Sequence, residues 1–379
     1  MIYFDNAATT YPKPASVIEE MVRCMQYCGG NPGRGAHSLS LAAARKVFEC
    51  REAVAAMFGA CDTDRVFFVP NTTCGINTVL KGLLKQGDHV IISDMEHNAV
   101  WRPIHKMASD GSIEYSTFKT LACEPRRSPM LICAQIARRL RPNTRAVVCV
   151  HSSNICSYTL PIKEIGEFCR RRGILFIVDA AQSAGHESID MESACIDALC
   201  IPGHKGLLGP QGSGAVVLGR EILLDTLVEG GNGIDSMSGD MPLSAPERYE
   251  AGTVATPNIA GLREGIRFVT ERGIEAIGEH ERRLGGRLRE MLGNTAGVTL
   301  YGPPTSGGIV LFCVDGVPSE QLAAELDRYR ICVRGGYHCA ALAHRTLGTP
   351  DGGAVRVSFG ALNKMSEVDT FYRVLREII

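Results

Sequence analysis

Lys205 and Asp179 are the two residues whose types and settings suggest the most chemistry in this chain. Lys205 lies in Pro202-Gly203-His204-Lys205-Gly206-Leu207-Leu208-Gly209-Pro210, and Asp179 follows the apolar run Ile174-Leu175-Phe176-Ile177-Val178. A primary amine in a glycine-rich turn can form a Schiff base. A carboxylate delivered by a buried strand can pair with a pyridinium nitrogen. Together these are what pyridoxal 5'-phosphate (PLP) requires of a protein.

Three further segments offer complementary groups. The run 66–70 reads as a strand leading into Asn71-Thr72-Thr73-Cys74-Gly75-Ile76-Asn77, which opens a helix. Unpaired N–H groups at a helix start, with the hydroxyls of Thr72 and Thr73, suit a phosphate. The same residues also make an ordinary helix cap. His97 follows a strand in Asp94-Met95-Glu96-His97-Asn98; an imidazole there can stack on a pyridine ring and move protons near neutral pH. Asn154 ends His151-Ser152-Ser153-Asn154 and can donate to a carboxylate or simply shape a turn. Each signal is weak alone. In combination, Thr72 with Thr73, His97, Asn154, Asp179 with Gln182, and His204 with Lys205 stand at five successive strand ends and suit one cofactor.

The elements that must position these residues alternate in type. Short apolar runs at 66–69, 90–93, 146–150, 175–178, 198–201 and 215–218 read as strands. Amphipathic stretches at 15–27, 41–58, 73–84, 130–140 and 162–171 read as helices. This alternation predicts an α/β unit with a mainly parallel sheet, whose strand ends collect at one edge. After Gly230 the texture changes to loops, two amphipathic stretches (259–270 and 274–292), short strands and a final helix at 366–377. The expected division is a large domain over 15–248, and a smaller α+β domain made of 1–14 and 249–379 that carries Cys339.

Composition excludes some partners. With 379 residues and a formal net charge of -1, there is no electrostatic case for nucleic acid or an anionic membrane surface. No apolar segment reaches the roughly 18 residues of a membrane span. Met1-Ile2-Tyr3-Phe4-Asp5-Asn6 has neither the basic region nor the apolar stretch of a signal peptide, so a cytoplasmic location is expected. The 15 cysteines are scattered without a CxxC pair, which suggests neither zinc ribbon nor redox dithiol. They are expected to be reduced, buried small hydrophobes, and no metal site is expected.

The motif set resembles the cysteine desulfurase/selenocysteine lyase group of class V aminotransferase-like, fold-type I PLP-dependent enzymes. The resemblance runs through the whole chain. It includes Tyr3-Phe4-Asp5-Asn6-Ala7-Ala8-Thr9-Thr10, Asn71-Thr72-Thr73, Glu96-His97-Asn98 and 151–154. It continues with Val178-Asp179-Ala180-Ala181-Gln182, Gly203-His204-Lys205, Arg248-Tyr249-Glu250-Ala251-Gly252-Thr253 and Arg334-Gly335-Gly336-Tyr337-His338-Cys339-Ala340. The resemblance implies that Lys205 carries the Schiff base, Asp179 holds the ring nitrogen, His97 stacks on the ring and Gln182 faces the phenolic oxygen. By the same token Thr73 and His204 bind phosphate with Thr72 beside them. Asn154 and Arg356 take the substrate carboxylate, with Ala7 and Arg334 alongside. It also implies a homodimer with 230–233 approaching the neighbouring site.

Cys339 decides the reaction in that group, where a loop cysteine takes sulfur from PLP-bound L-cysteine, becomes a persulfide and leaves L-alanine for release. Here Gly335 and Gly336 are expected to free the loop backbone, and Arg334 and His338 to favour the thiolate. The alternatives are a selenocysteine β-lyase acting on L-selenocysteine, an aminotransferase or racemase on the same scaffold, and a PLP-binding sulfur-transfer partner without turnover. Pro202 departs from the group's pattern, because a serine or threonine phosphate ligand is usual there. The short 340–354 stretch resembles the compact-loop branch, which often relies on a separate protein sulfur acceptor.

Overall fold

The computed structural model describes residues 1–33, 35–60, 62–124, 128–219, 222–303 and 307–379. Its strands are β1 (Ile2–Tyr3), β2 (Val66–Phe68), β3 (His89–Ser93), β4 (Glu114–Phe118), β5 (Thr144–Val150), β6 (Leu175–Asp179), β7 (Ala198–Pro202), β8 (Gly214–Leu218), β9 (Val298–Tyr301), β10 (Ile309–Val314), β11 (Ile331–Cys332) and β12 (Val355–Ser358). Its helices are α1 (Ala15–Tyr27), α2 (Ser38–Phe58), α3 (Thr72–Leu83), α4 (Asn98–Ser109), α5 (Pro129–Ala137), α6 (Ile162–Arg170), α7 (Thr256–Arg272), α8 (Ile274–Gly293), α9 (Ser319–Arg328), α10 (Ala341–Leu347) and α11 (Met365–Ile378).

Seven strands form the main sheet in the order β2-β8-β7-β6-β5-β3-β4. Only β8 runs against the others, pairing antiparallel with β2 and β7. The sequence explains why the sheet is covered on both faces. Val147 and Cys149 of β5 join one apolar core with Phe176 and Val178 of β6. Their neighbours Ala146, Val148 and Ile177 join the other core. A strand with apolar residues at every position has no face for water and must be sandwiched. Residues of α2, α5, α6 and α7 close the first core, and residues of α3 and α4 the second. The buried thiols of Cys50, Cys149 and Cys169 are free and lie in the first core.

A third core joins the chain's two ends. Phe4 packs with Leu284, Leu288 and Leu292 of α8, with β10 and β12, and with Phe371 of α11. β9, β10 and β12 make an antiparallel sheet, and β1 pairs with β11. Helix α7 packs on α1 and α2. No helix of the described residues is long and apolar enough to cross a membrane.

Several elements were not among those expected from the sequence, β1, β4, α4 and α10 among them. β4 is an edge strand with half-exposed, largely polar residues, so it shows no apolar run. α4 contains Pro103, which disrupts the helical reading although the helix forms around it. The N-cap His97 starts α4, its Nδ1 accepting from the Ala99 N–H at 3.0 Å.

Candidate active site

The C-terminal ends of the parallel strands meet one cleft of about 450 Å3, counted to its open mouth. Thr72, Thr73, His97, Asn154, Asp179, Gln182, His204 and Lys205 all line it. A larger groove of about 1800 Å3 lies elsewhere, between Asn31, Asn232 and Glu250. Its lining includes His37 and Glu247 but no lysine amine, so size does not locate the chemistry.

Each group in the cleft is tuned by its surroundings. Burial lowers the Lys205 amine to about 8, against the opposing pull of Asp179, so a useful fraction is neutral near physiological pH. Asp179 ends β6 at 1% exposure, and Oδ1 accepts from the Ala181 N–H at 2.9 Å. Burial raises its carboxyl pKa, so it is a buried acid that a cationic partner would stabilise. Burial, then the Lys205 charge, holds the His97 ring down at about 4. His97 is therefore neutral, with Nδ1 occupied by the α4 cap. Asn71 caps α3 through the Cys74 N–H at 2.9 Å. That leaves the buried Thr72 hydroxyl without a partner, together with Nδ1 of His204. The Thr73 side chain is exposed at the mouth. Pro202 is the last residue of β7, opposite Gly214.

The substrate side is built by the third core. Arg356 of β12 is 2% exposed. Its Nη2 meets Asp5 at 2.7 Å and its Nη1 donates to the Asn154 carbonyl at 3.0 Å. Its Nε is buried without a partner, as is Oδ1 of Asn154. Gln182 Nε2 donates to the Ala7 carbonyl at 2.7 Å, and the Ala7 N–H donates to Ser358 Oγ at 2.9 Å. Arg334 pairs its backbone with Arg356 and is exposed. Cys339 is exposed too. Its carbonyl accepts from the Asn98 N–H at 2.8 Å, next to His97. The preceding His338 carbonyl accepts from Asn154 Nδ2 at 2.8 Å. The loop thiol is thereby tied to the rim of the Lys205 cleft.

The family described as aminotransferase class-V matches residues 2–371. A relative named probable cysteine desulfurase, from Methanothermobacter thermautotrophicus, is 32% identical over 100% of this chain and 94% of its own length. Another of that name from Pyrococcus abyssi is 33% identical, again over 100% and 94%. The chain belongs to the class-V aminotransferase family, among its cysteine desulfurases. The apo structure of the Thermococcus onnurineus cysteine desulfurase superposes with a TM-score of 0.90 at 31% identity, covering 100% of this chain and 94% of that one. An Escherichia coli cysteine desulfurase superposes at 0.87 with 25% identity, over 99% and 94%.

Within this family member, two expectations about the loop need correction. His338 does not supply positive charge to Cys339: it is buried, and desolvation with the nearby Arg356 charge holds its ring down at about 3. The glycines do not loosen the loop either. A Cβ on Gly335 would stand 2.5 Å from the Ser319 carbonyl oxygen, so that position serves close packing. Gly336 adopts φ 101° and exchanges backbone hydrogen bonds with Ala354 at 3.1 and 3.2 Å.

Two contributors escaped the sequence reading. The N-terminal segment clamps the lysine turn: Lys13 Nζ donates to the His204 carbonyl at 2.8 Å, and Thr10 Oγ1 to the Lys205 carbonyl at 3.1 Å. Burial lowers the Lys13 amine to about 8. The available signal was that Thr9-Thr10 closes the N-terminal motif, with Lys13 three residues further on. Glu96 is fully buried, and burial raises its carboxyl to about 8. It accepts from the Val150 N–H at 2.9 Å and from Ser93 Oγ, a neutral strut between β3 and β5 beneath His97. Its place inside the Glu96-His97-Asn98 motif was the available clue.

Proposed function

We propose that this chain is a PLP-dependent L-cysteine desulfurase that leaves L-alanine and a persulfide on Cys339. The observation that carries the reading is the tether of the exposed Cys339 loop to Asn98 and Asn154 beside Lys205. The cleft's residues fit PLP. Asp179 offers a buried acid to a cationic ring nitrogen. The unpartnered Thr72 hydroxyl and His204 Nδ1 offer polar contacts where a phosphate would lie. When bound, PLP supplies an electron sink for the substrate's α-carbon.

The chain's own groups do the rest. Lys205 anchors the cofactor and then moves the α-proton, a task suited to an amine lowered to about 8. Neutral His97 covers the ring. Gln182 and Asn154 fix polar atoms at the cleft wall, and Arg356 holds the substrate carboxylate. Cys339, as thiolate, attacks the substrate Sγ. The S–S bond forms as the Cβ–Sγ bond breaks; the electron pair stays with carbon, which takes up protons to become alanine. Ala7 and Arg334 border the substrate, and no metal is called for.

The same reading makes the protein a cytoplasmic homodimer that passes sulfur to a separate protein acceptor, with no nucleic-acid or membrane partner. The exposure of Cys339 supports the transfer. We also propose the division into 15–248 and 1–14 with 249–379, the latter built around the third core, with α7 crossing to pack on α1 and α2. L-selenocysteine is the alternative substrate of the same site.

The test follows alanine and sulfide from L-cysteine and L-selenocysteine with the PLP-loaded protein. Cys339→Ala is expected to lose cysteine turnover while keeping cofactor absorbance, and Lys205→Ala to lose both. Full cysteine turnover by Cys339→Ala would refute the persulfide route.

A further inference from the structure

A chain of hydrogen bonds beneath Cys339 is not used by the reaction as derived above. His338 Nε2 lies 3.1 Å from the Arg334 carbonyl oxygen, and its Nδ1 lies 3.2 Å from His344 Nε2. His344 Nδ1 lies 2.8 Å from Thr349 Oγ1. The two rings stack with centroids 5.4 Å apart and planes 13° from parallel, and Tyr337 meets His344 edge-on.

Elementary chemistry fixes every proton in this chain. A carbonyl oxygen only accepts, so His338 Nε2 carries the hydrogen. Burial, with Arg356 beside both rings, holds His338 down at about 3 and His344 at about 4, so each ring has one N–H. His338 Nδ1 must then accept, His344 Nε2 must donate, and His344 Nδ1 must accept from the Thr349 hydroxyl. One arrangement satisfies all three contacts, and it runs from α10 to the base of the cysteine loop.

The backbone shows what the chain restrains. His338 and Cys339 adopt φ of 52° and 55° in succession. Two adjacent non-glycine residues in the left-handed region persist only where their surroundings over-determine them. The His338 and Cys339 carbonyls are held by Asn154 and Asn98. The His338 ring is held by Arg334 and His344. The loop is pinned on both sides of the thiol.

We propose that His344, acting through His338, is a positioning residue for Cys339: the relay Thr349–His344–His338–Arg334 holds the loop in the left-handed geometry that presents the thiol to the cleft. This rests on the reading of Cys339 as the sulfur acceptor. His344 touches neither substrate nor cofactor in this assignment, and its effect falls on the sulfur-transfer step alone.

The experiment uses the PLP-loaded full chain and L-cysteine. In His344→Leu the donor to His338 is gone. The expected result is a fall in kcat of about tenfold or more, the scale on which misplacing a reacting group acts, with KM and cofactor absorbance unchanged. His344→Gln keeps an N–H donor on a side chain of similar reach and is expected to recover most of the loss. A merely structural histidine would instead lower cofactor retention and yield, with no rescue by the donor-bearing side chain. Thr349→Val removes the hydroxyl that fixes the His344 tautomer, and a smaller fall in kcat, about threefold, is expected. An unchanged kcat in His344→Leu, or a loss that glutamine does not restore, overturns the proposal. If His344→Leu does not fold, an unchanged kcat in Thr349→Val overturns it. Cys339→Ala separates the two levels. If that variant turns over cysteine, the desulfurase reading falls; if it is inactive while His344→Leu is normal, only the positioning role falls.

Discussion

Replacing Arg356 with lysine keeps the positive charge and removes the planar fork. The guanidinium is 2% exposed, spends Nη2 on Asp5 and Nη1 on the Asn154 carbonyl, and leaves Nε with no partner. Nε–H and the second N–H of Nη2, beyond the one given to Asp5, are then the two groups that can meet a carboxylate. A lysine ammonium reaches that carboxylate through one contact, so about one charge-assisted hydrogen bond is lost. Such a bond contributes roughly 1.5–3 kcal/mol, which at about 1.36 kcal/mol per decade is a loss of about 10- to 150-fold in kcat/KM. Because the carboxylate is bound equally before and during reaction, the loss should appear chiefly in KM. The assay is sulfide released by an added thiol reductant across a range of L-cysteine concentrations, with cysteamine, which lacks the carboxylate and leaves ethylamine in place of alanine, as the control substrate. Arg356→Lys should leave the cysteamine rate within about twofold. A loss for L-cysteine below about threefold, or an equal loss for cysteamine, would refute the carboxylate clamp.

Further outcomes follow from burial and backbone. Glu281 faces His186 at 3.4 Å and its carboxyl is raised from 4.5 to about 8 by burial and then Glu187. The folded state therefore holds a proton that the unfolded chain gives up between 4.5 and about 8, and this contribution to stability is lost as pH rises through that window. The Tm of Glu281→Gln minus that of wild type should accordingly become more positive from pH 5 to pH 8, and a flat difference would contradict the buried acid. Phe371→Ala removes a fully buried ring in edge-to-face contact with Phe4 at 5.9 Å and Phe312 at 6.5 Å. It should cost about 3–5 kcal/mol in urea unfolding, and a cost under about 1 kcal/mol would mean the third core is not packed as described. Gly353 has φ 76°, and an added Cβ would stand 2.1 Å from the Gly336 carbonyl oxygen. Gly353→Ala should therefore cut desulfuration about tenfold or more by displacing the Cys339 loop, and normal turnover would show that the loop tolerates the shift.

The cleft was readable from sequence because its parts sit at strand ends. Apolar runs marked β5, β6 and β7, and the site residues Asn154, Asp179, His204 and Lys205 fall within four positions of the end of a run. α4 and β4 were not readable for opposite reasons. Pro103 masks a helix whose start is fixed by a histidine cap, an uncommon residue type for that local role, and β4 is too polar and too near the edge to carry an apolar signature. The loop glycines were misread because flexibility and close packing select the same residue; only the 2.5 Å approach of the Ser319 carbonyl at Gly335 separates the two. His338 was misread because a histidine beside a cysteine suggests charge in a sequence, whereas its burial, visible only in three dimensions, makes it neutral. The role of Lys13 depends on a contact with residue 204 that no local pattern announces.

The tie between the chain's ends bears on how this protein is made. Asn6 bonds to the Ser358 carbonyl across 352 residues, while Thr10, four residues on, clamps the Lys205 turn. During synthesis the first ten residues leave the ribosome before any partner for them exists. They must wait until β12 is out before they can bridge the two. The bridge between β12 and the lysine turn therefore closes only after β12 has been made. A chain cut before β12 keeps every strand of the seven-stranded sheet and still lacks this bridge.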